Sequence, residues 1–100
     1  MPMNEYMIII RFTEFISEEF FDLIPDQRKH INRLMERRII TSYSLSADRR
    51  TLWATMHATS MEAVEKILKM MPLFRFMHYE IVELMFHNNS IHEQIHVSLN

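Results

Sequence analysis

Met70-Met71-Pro72-Leu73-Phe74-Arg75-Phe76-Met77-His78-Tyr79-Glu80-Ile81-Val82-Glu83-Leu84 changes character halfway along. Its two methionines close a helical pattern that began at Met61. Pro72 then ends that helix, because it has no N–H to donate and its ring clashes with the preceding turn. The aromatic and β-branched run that follows suits a strand, predicted over residues 74–86. A helix therefore ends, the chain turns sharply, and the last strand of a sheet begins.

The upstream chain supplies that strand's partners. Residues 5–12 alternate as a strand, with Tyr6, Ile8, Ile10 and Phe12 on one face and Met7, Ile9 and Arg11 on the other. Both faces are largely apolar, which predicts a central strand covered on both sides. Ser17 is placed to cap a helix whose first turn carries Glu18 and Glu19 at the positive end of the dipole. Phe20, Phe21 and Ile24 are its apolar contacts. Pro25 predicts either a kink or a restart, with Pro25 at the first position of a longer helix running to about residue 38. The apolar stripe of that helix is Ile24, Ile31, Leu34 and Met35, and Gln27 lies on the same stripe one turn before Ile31. Residues 39–46 read as a second strand and residues 46–50 as a hairpin with Asp48 as turn former. Residues 51–58 read as a third strand with Leu52, Ala54, Met56 and Ala58 on one face and Thr51, Trp53, Thr55 and His57 on the other. Thr59-Ser60-Met61-Glu62 has the form of a capping box. Met61, Val64, Ile67, Leu68 and Met71 give the second helix its apolar stripe.

Strand, helix, strand, strand, helix, strand is the split βαβ of the ferredoxin-like α+β fold, a four-stranded antiparallel sheet with both helices on one face. The opposite face keeps Met7, Ile9 and Trp53, and an apolar sheet face of that size marks an interaction surface. A second copy packed sheet against sheet is the economical cover, giving a dimeric α+β barrel with a ligand-sized space between sheet and helices. Residues 1–88 are expected to form this domain and residues 89–100 an arm. In that arm Ile91, Ile95 and Leu99 fit a helix face, while Ile95, Val97 and Leu99 fit a strand; it lies on a partner subunit or frays.

Bulk properties narrow the function. One hundred residues predict one domain with a modest core. The net charge of −2 gives no general attraction to nucleic acid or anionic membrane, so neither is expected as a partner. Glycine is absent, which excludes glycine-rich phosphate loops and dinucleotide fingerprints. Cysteine is absent too, which removes disulfides, thiolate nucleophiles and cysteine-bound metal, and fits a reducing compartment. The N-terminal residues lack a basic segment followed by an apolar core, and the longest uninterrupted apolar run, residues 7–10, is too short to span a bilayer. A cytoplasmic protein is expected.

Leu73-Phe74-Arg75-Phe76-Met77-His78-Tyr79-Glu80-Ile81, preceded by Met71-Pro72, resembles the corresponding segment of the muconolactone Δ-isomerase family. The resemblance runs from the first strand to about Ser90 and is clearest near the C-terminus. It implies a dimeric ferredoxin-like barrel, assembled in the isomerases into larger rings. It also implies proton transfer on an unsaturated lactone bearing a carboxylate, in aromatic catabolism, with no metal and no organic cofactor. Such chemistry needs a base within hydrogen-bond reach of the proton, donors for the developing oxyanion, and an Arg or similar donor for the carboxylate. The family's glutamate on the inward face of the first long helix falls on Gln27, beside a retained basic residue, Arg28. The family's last-strand Asp-x-Glu reads His78-Tyr79-Glu80, so Glu80 matches and His78 does not. Its basic-aromatic segment reads Thr41-Ser42-Tyr43-Ser44.

Each candidate has two readings. Gln27 either touches a ligand in a cleft or is a core glutamine bonded to backbone or to Tyr43. Arg11 either holds a ligand carboxylate or pairs with a last-strand carboxylate such as Glu80 or Glu83. His57 and His78, on strands expected to be able to neighbour one another, are candidate bases with Glu80, or are structural histidines. Trp53 and Tyr43 line a pocket, or Trp53 packs at a dimer interface. Gln27, Arg28, Tyr43 and Arg11 are the ligand-binding candidates. His92 and His96 have the i,i+4 spacing of metal-binding helix pairs, with His87 and Glu93 nearby in sequence, but no third ligand in a fixed element, so no metal is expected. Arg37-Arg38 and Arg49-Arg50 read as solvated basic pairs.

Overall fold

A computed structural model describes residues 3–13 and 17–86. The elements are β1 Asn4–Phe12, α1 Glu18–Glu36, β2 Ile40–Leu45, β3 Thr51–Ala58, α2 Met61–Lys69, a single 3₁₀ turn Phe74–Phe76, and β4 Met77–Leu84. The sheet is antiparallel throughout with order β2-β3-β1-β4, so β1 is central, as its two apolar faces predict. This is the ferredoxin-like α+β fold. The expected arm and His87, His92, Glu93 and His96 lie outside the described residues.

Register sorts the side chains. Ile8 pairs with Ala54 and Ile81, Ile10 with Leu52 and Tyr79, and Tyr6 with Met56. Tyr6, Ile8, Ile10 and Met56 are fully buried on this face beneath Phe20, Ile31 and Leu34 of α1 and Val64 and Leu68 of α2, so both helices cover the same side. Each such burial stabilises by about 1.5–3 kcal/mol. Phe12, Phe20 and Phe76 close one end of the core edge to face, with Phe20 centred 5.6 Å from Phe12 and 5.3 Å from Phe76. On the other side Ile9 faces Trp53 and Met7 faces Val82. No helix covers that side, and Trp53 and Val82 stay exposed.

Some local expectations are met and others corrected. α1 is one helix running through Pro25, so the helix does not restart there. The missing Pro25 N–H would serve the carbonyl of Phe21, a solvent-exposed residue. Ser17 caps α1 by accepting from the Phe20 N–H at 3.2 Å. The helix ends at Glu36 in a Schellman arrangement: Arg38 N–H donates to Met35 O at 3.0 Å and Ile39 N–H to Leu34 O at 2.9 Å. That ending needs a left-handed residue, and with no glycine in the chain Arg38 takes it at φ 60°. α2 is capped by Ser60, which accepts from Ala63 N–H at 3.1 Å, rather than by a Thr59–Glu62 box. Residues 74–76 make a 3₁₀ turn instead of opening the strand, because Phe74 and Phe76 bond back to Met71 and Leu73. In the β2–β3 hairpin Asp48 accepts from the Ser46 hydroxyl at 2.6 Å and the Arg50 N–H at 3.0 Å. The Ser46 bond first, then the Arg50 bond, hold its carboxyl below the usual carboxylate range.

Candidate functional site

Three places hold the sequence-predicted residues. Gln27 is in the core, 8% exposed. Its Oε1 accepts from Leu73 N–H at 3.0 Å and its Nε2 donates to Met71 Sδ at 3.5 Å. Gln27 thus ties α1 to the turn around Pro72, the segment that redirects the chain from α2 into β4. Arg28, one position on, is exposed on α1. Tyr43 lies opposite Ala54, on the helix-facing side of edge strand β2, and is also exposed.

The second place is one end of the uncovered sheet face. Arg11 of β1 lies opposite His78 of β4, and its guanidinium is 3.7 Å from Glu80. All three side chains are exposed, and an open pair of this kind contributes about 0–1 kcal/mol.

The third place is the opposite end of the same sheet, at the corner where α1 hands over to β2. An open depression of about 320 Å³ is lined there by Met35, Arg38, Ile40, Thr41 and His57. His57 lies across from Glu5 in the β1–β3 register, and its Nε2 is 2.9 Å from Glu5 Oε1. A carboxylate only accepts, so in the neutral imidazole this bond selects the tautomer with its proton on Nε2 and its lone pair on Nδ1. The other Glu5 oxygen, Oε2, is buried without a partner among the described residues. Thr41 is the extra residue of a β-bulge, since Ile40 pairs with Met56 while Ser42 pairs with Thr55. The bulge gathers three hydroxyls: Thr55 Oγ1 is 2.6 Å from Thr41 Oγ1 and 2.7 Å from Ser42 Oγ.

β1 lies between β3 and β4, so His57 and His78 are not on neighbouring strands. They sit six residues apart along β1, opposite Glu5 and Arg11, which separates them by roughly 20 Å at the rise of a strand. They cannot share one small ligand. Among the described residues no group of three His, Asp or Glu side chains is placed to hold a metal ion. No described helix is long and apolar enough to cross a membrane.

Sequence reading missed Glu5, Met35, Arg38, Ile40 and Thr41 as companions of His57. Arg38 read as solvated surface, and it is exposed, yet it walls the depression. The available signal was a helix end in a chain without glycine, which forces a bulky residue into the left-handed position. The bulge at Thr41 has no such signal.

Topology, register and layer order define a ferredoxin-like α+β domain. By shape, the chain is similar to muconolactone isomerase: a crystal structure of that enzyme superposes with a TM-score of 0.69 at 21% identity, over 88% of this chain and 95% of the other. No sequence-family model matches the chain, and no curated protein matches it by sequence. The likeness is one of fold.

Proposed function

We propose that the protein is muconolactone-isomerase-like: it binds a small, unsaturated, anionic lactone-type metabolite and moves a proton on it without metal or organic cofactor. The observation that carries this reading is the Glu5-oriented His57 on the wall of the depression at the α1–β2 corner. The near full-length likeness to muconolactone isomerase supports the substrate class by analogy of fold. In this scheme His57 Nδ1 takes a proton from carbon conjugated with the lactone carbonyl, and the electron pair enters the conjugated system as a dienolate. The imidazolium, stabilised by Glu5, returns the proton at a different carbon. One C–H bond breaks, another forms, and the double bond shifts with no net oxidation. His78 and Glu80, at the far end of the sheet, are the competing acid–base pair, with Arg11 beside them for a carboxylate.

The test follows solvent deuterium incorporation and isomerisation of muconolactone in the wild type, His57→Gln, His78→Gln and Gln27→Glu. Loss of exchange in His57→Gln alone supports the scheme. Loss in His78→Gln alone moves the chemistry to the other end. No exchange by any of the four proteins rejects the isomerase reading.

A second reading is a non-catalytic binder on the same scaffold. Gln27 favours it, because both polar atoms of the residue standing where the related isomerases carry a glutamate are engaged within the core. Thermal stabilisation by a muconolactone-type metabolite without exchange distinguishes this reading. Both readings include a homodimer or larger homo-oligomer closed over the Met7, Ile9, Trp53 and Val82 face.

A further inference from the structure

We infer that the exposed face of α1 is a self-complementary docking surface for a second copy of this chain, met antiparallel about a two-fold axis that crosses the helix between Gln27 and Arg28. Asp22, Lys29 and Arg33 each stand two residues past an inward residue, Phe20, Gln27 and Ile31, and so point away from the sheet. Glu18, Asp22 and Asp26 follow one another at i,i+4 along the N-terminal half, and Lys29, Arg33 and the C-cap Arg37 do so along the C-terminal half. All of these side chains are exposed. Their signs invert about the middle of the helix. At equal steps outward from the junction of residues 27 and 28, Asp26 is matched by Lys29, Asp22 by Arg33 and Glu18 by Arg37. In an antiparallel pair each acid of one chain therefore stands opposite a base of the other, and symmetry repeats every match. The like-charged match of Glu19 with Glu36 is blunted, because Glu19 is held by Arg75 of its own chain.

Forces within one chain do not account for this order. The helix dipole favours Glu18 in the first turn and Arg33 and Arg37 at the end, but it fades within a turn, and Asp22, Asp26 and Lys29 lie further in. Local ion pairing would alternate the signs at i,i+4. Here Glu18–Asp22, Asp22–Asp26, Lys29–Arg33 and Arg33–Arg37 set like charges on successive turns, which weakens a helix on its own. None of these side chains has an ion-pair partner among the described residues. The contact is narrow, since the nineteen residues of α1 span about 28 Å at the helical rise. It is therefore a weak association whose specificity comes from charge. α1 lies on the covered side of the sheet, so the contact leaves the face bearing Met7 and Trp53 free and is independent of the proposed ligand site.

Light scattering at high protein concentration, in low and high salt, reads the contact. Exposed charges act over roughly 30 Å at 0.01 M salt and only about 3 Å at 1 M, so the wild type should gain mass, up to about twofold, on going from the higher to the lower concentration of sodium chloride. Pairing through the apolar sheet face would persist at 1 M. Asp22→Lys with Asp26→Lys makes the middle of the α1 face wholly basic, and Lys29→Glu with Arg33→Glu makes it wholly acidic. Each double variant alone should keep its high-salt mass at low salt. An equimolar mixture of the two should recover the wild-type gain, because opposite signs again meet at every step. The milder pair Asp22→Asn with Asp26→Asn should lose the gain, and circular dichroism checks that each variant is folded. A wild type with the same mass at both salt concentrations overturns the inference. So does a mixture of folded reversed variants that fails to associate, and so does a gain retained in full by the Asn pair.

Discussion

Gln27 carries more of the fold than a polar residue on an apolar stripe ordinarily does. Replacing it with Leu keeps the volume but leaves the buried Leu73 N–H without an acceptor, which should cost about 1–3 kcal/mol in urea unfolding. Gln27→Glu keeps the acceptor but buries a carboxylate with a single N–H donor and a thioether beside it. Burial favours the protonated form, so the folded-state value for such a glutamate lies above its unfolded value. The variant should therefore be destabilised at neutral pH and regain stability as pH falls, a trend opposite to ordinary acid denaturation. A Gln27→Glu protein as stable as wild type at pH 7 would mean the core opens to water there. His30 shows the converse. Burial first, and the charge of Arg33 second, hold its imidazole below the ordinary value of 6.5, and its Nε2 is buried without a partner. As pH falls below that ordinary value the unfolded chain takes the proton before the folded one, so the stability tied to neutral His30 is full above it and lost beneath it. His30→Leu removes that titration, so its stability advantage over wild type should widen as pH drops from about 7 to 5. Parallel stability curves for the two proteins would show that His30 protonates equally in both states. The position of Gln27 on the inward stripe was legible in the sequence, because spacing alone decides a helix face. Its partners were not, because Leu73 and Met71 lie more than forty residues away and reach it only once the Pro72 turn has formed.

At the scale of elements, local rules succeeded where one segment settles its own conformation and failed where two segments share the decision. Strand alternation placed Tyr6, Ile8 and Ile10 inward and Trp53 outward, and the Ser17 cap stands where its acidic first turn puts it. The Thr41 bulge belongs to the pairing of β2 with β3, so the sequence of β2 alone carries no trace of it, and the depression it shapes went unread with it. Pro25 is a further case. A proline in a helix interior costs about 3 kcal/mol, yet α1 continues, since the inward residues on either side, Phe20, Gln27, Ile31 and Leu34, bind both halves to one sheet. Tertiary burial has overridden a local preference. Pro25→Ala should then stabilise the protein by about 1–3 kcal/mol, less than the full helix penalty because proline also restricts the unfolded chain. Urea midpoints measure it directly, and a variant no more stable than wild type would mean that the helix has already adapted its geometry to the ring.

For the whole molecule, the open question is what covers the sheet's second face. β1 is central and apolar on both sides, but helices protect only one. Met7 and Ile9 are half-buried there, while Trp53 and Val82 are exposed, with Trp53 at 40%. On that face Arg11 pairs with Glu80 at one end and His57 with Glu5 at the other, and Thr55 bonds the Thr41 and Ser42 hydroxyls between them. A face whose charges are paired at its ends and whose middle is hydrocarbon loses little by leaving water. A second copy turned about a two-fold axis would set the Trp53–Ile9 strip of one chain against the same strip of the other. The proposed dimer makes a sharp demand on Trp53. Trp53→Glu places a charge in the middle of that strip without touching the helix-side core, so it should give a folded monomer with unchanged far-ultraviolet circular dichroism and about half the wild-type mass by light scattering. The fluorescence of Trp53 should also shift to longer wavelength when the wild type is diluted through its dissociation range. A wild type that is monomeric at high concentration, with Trp53 emission already that of water-exposed indole, would reject pairing through this face.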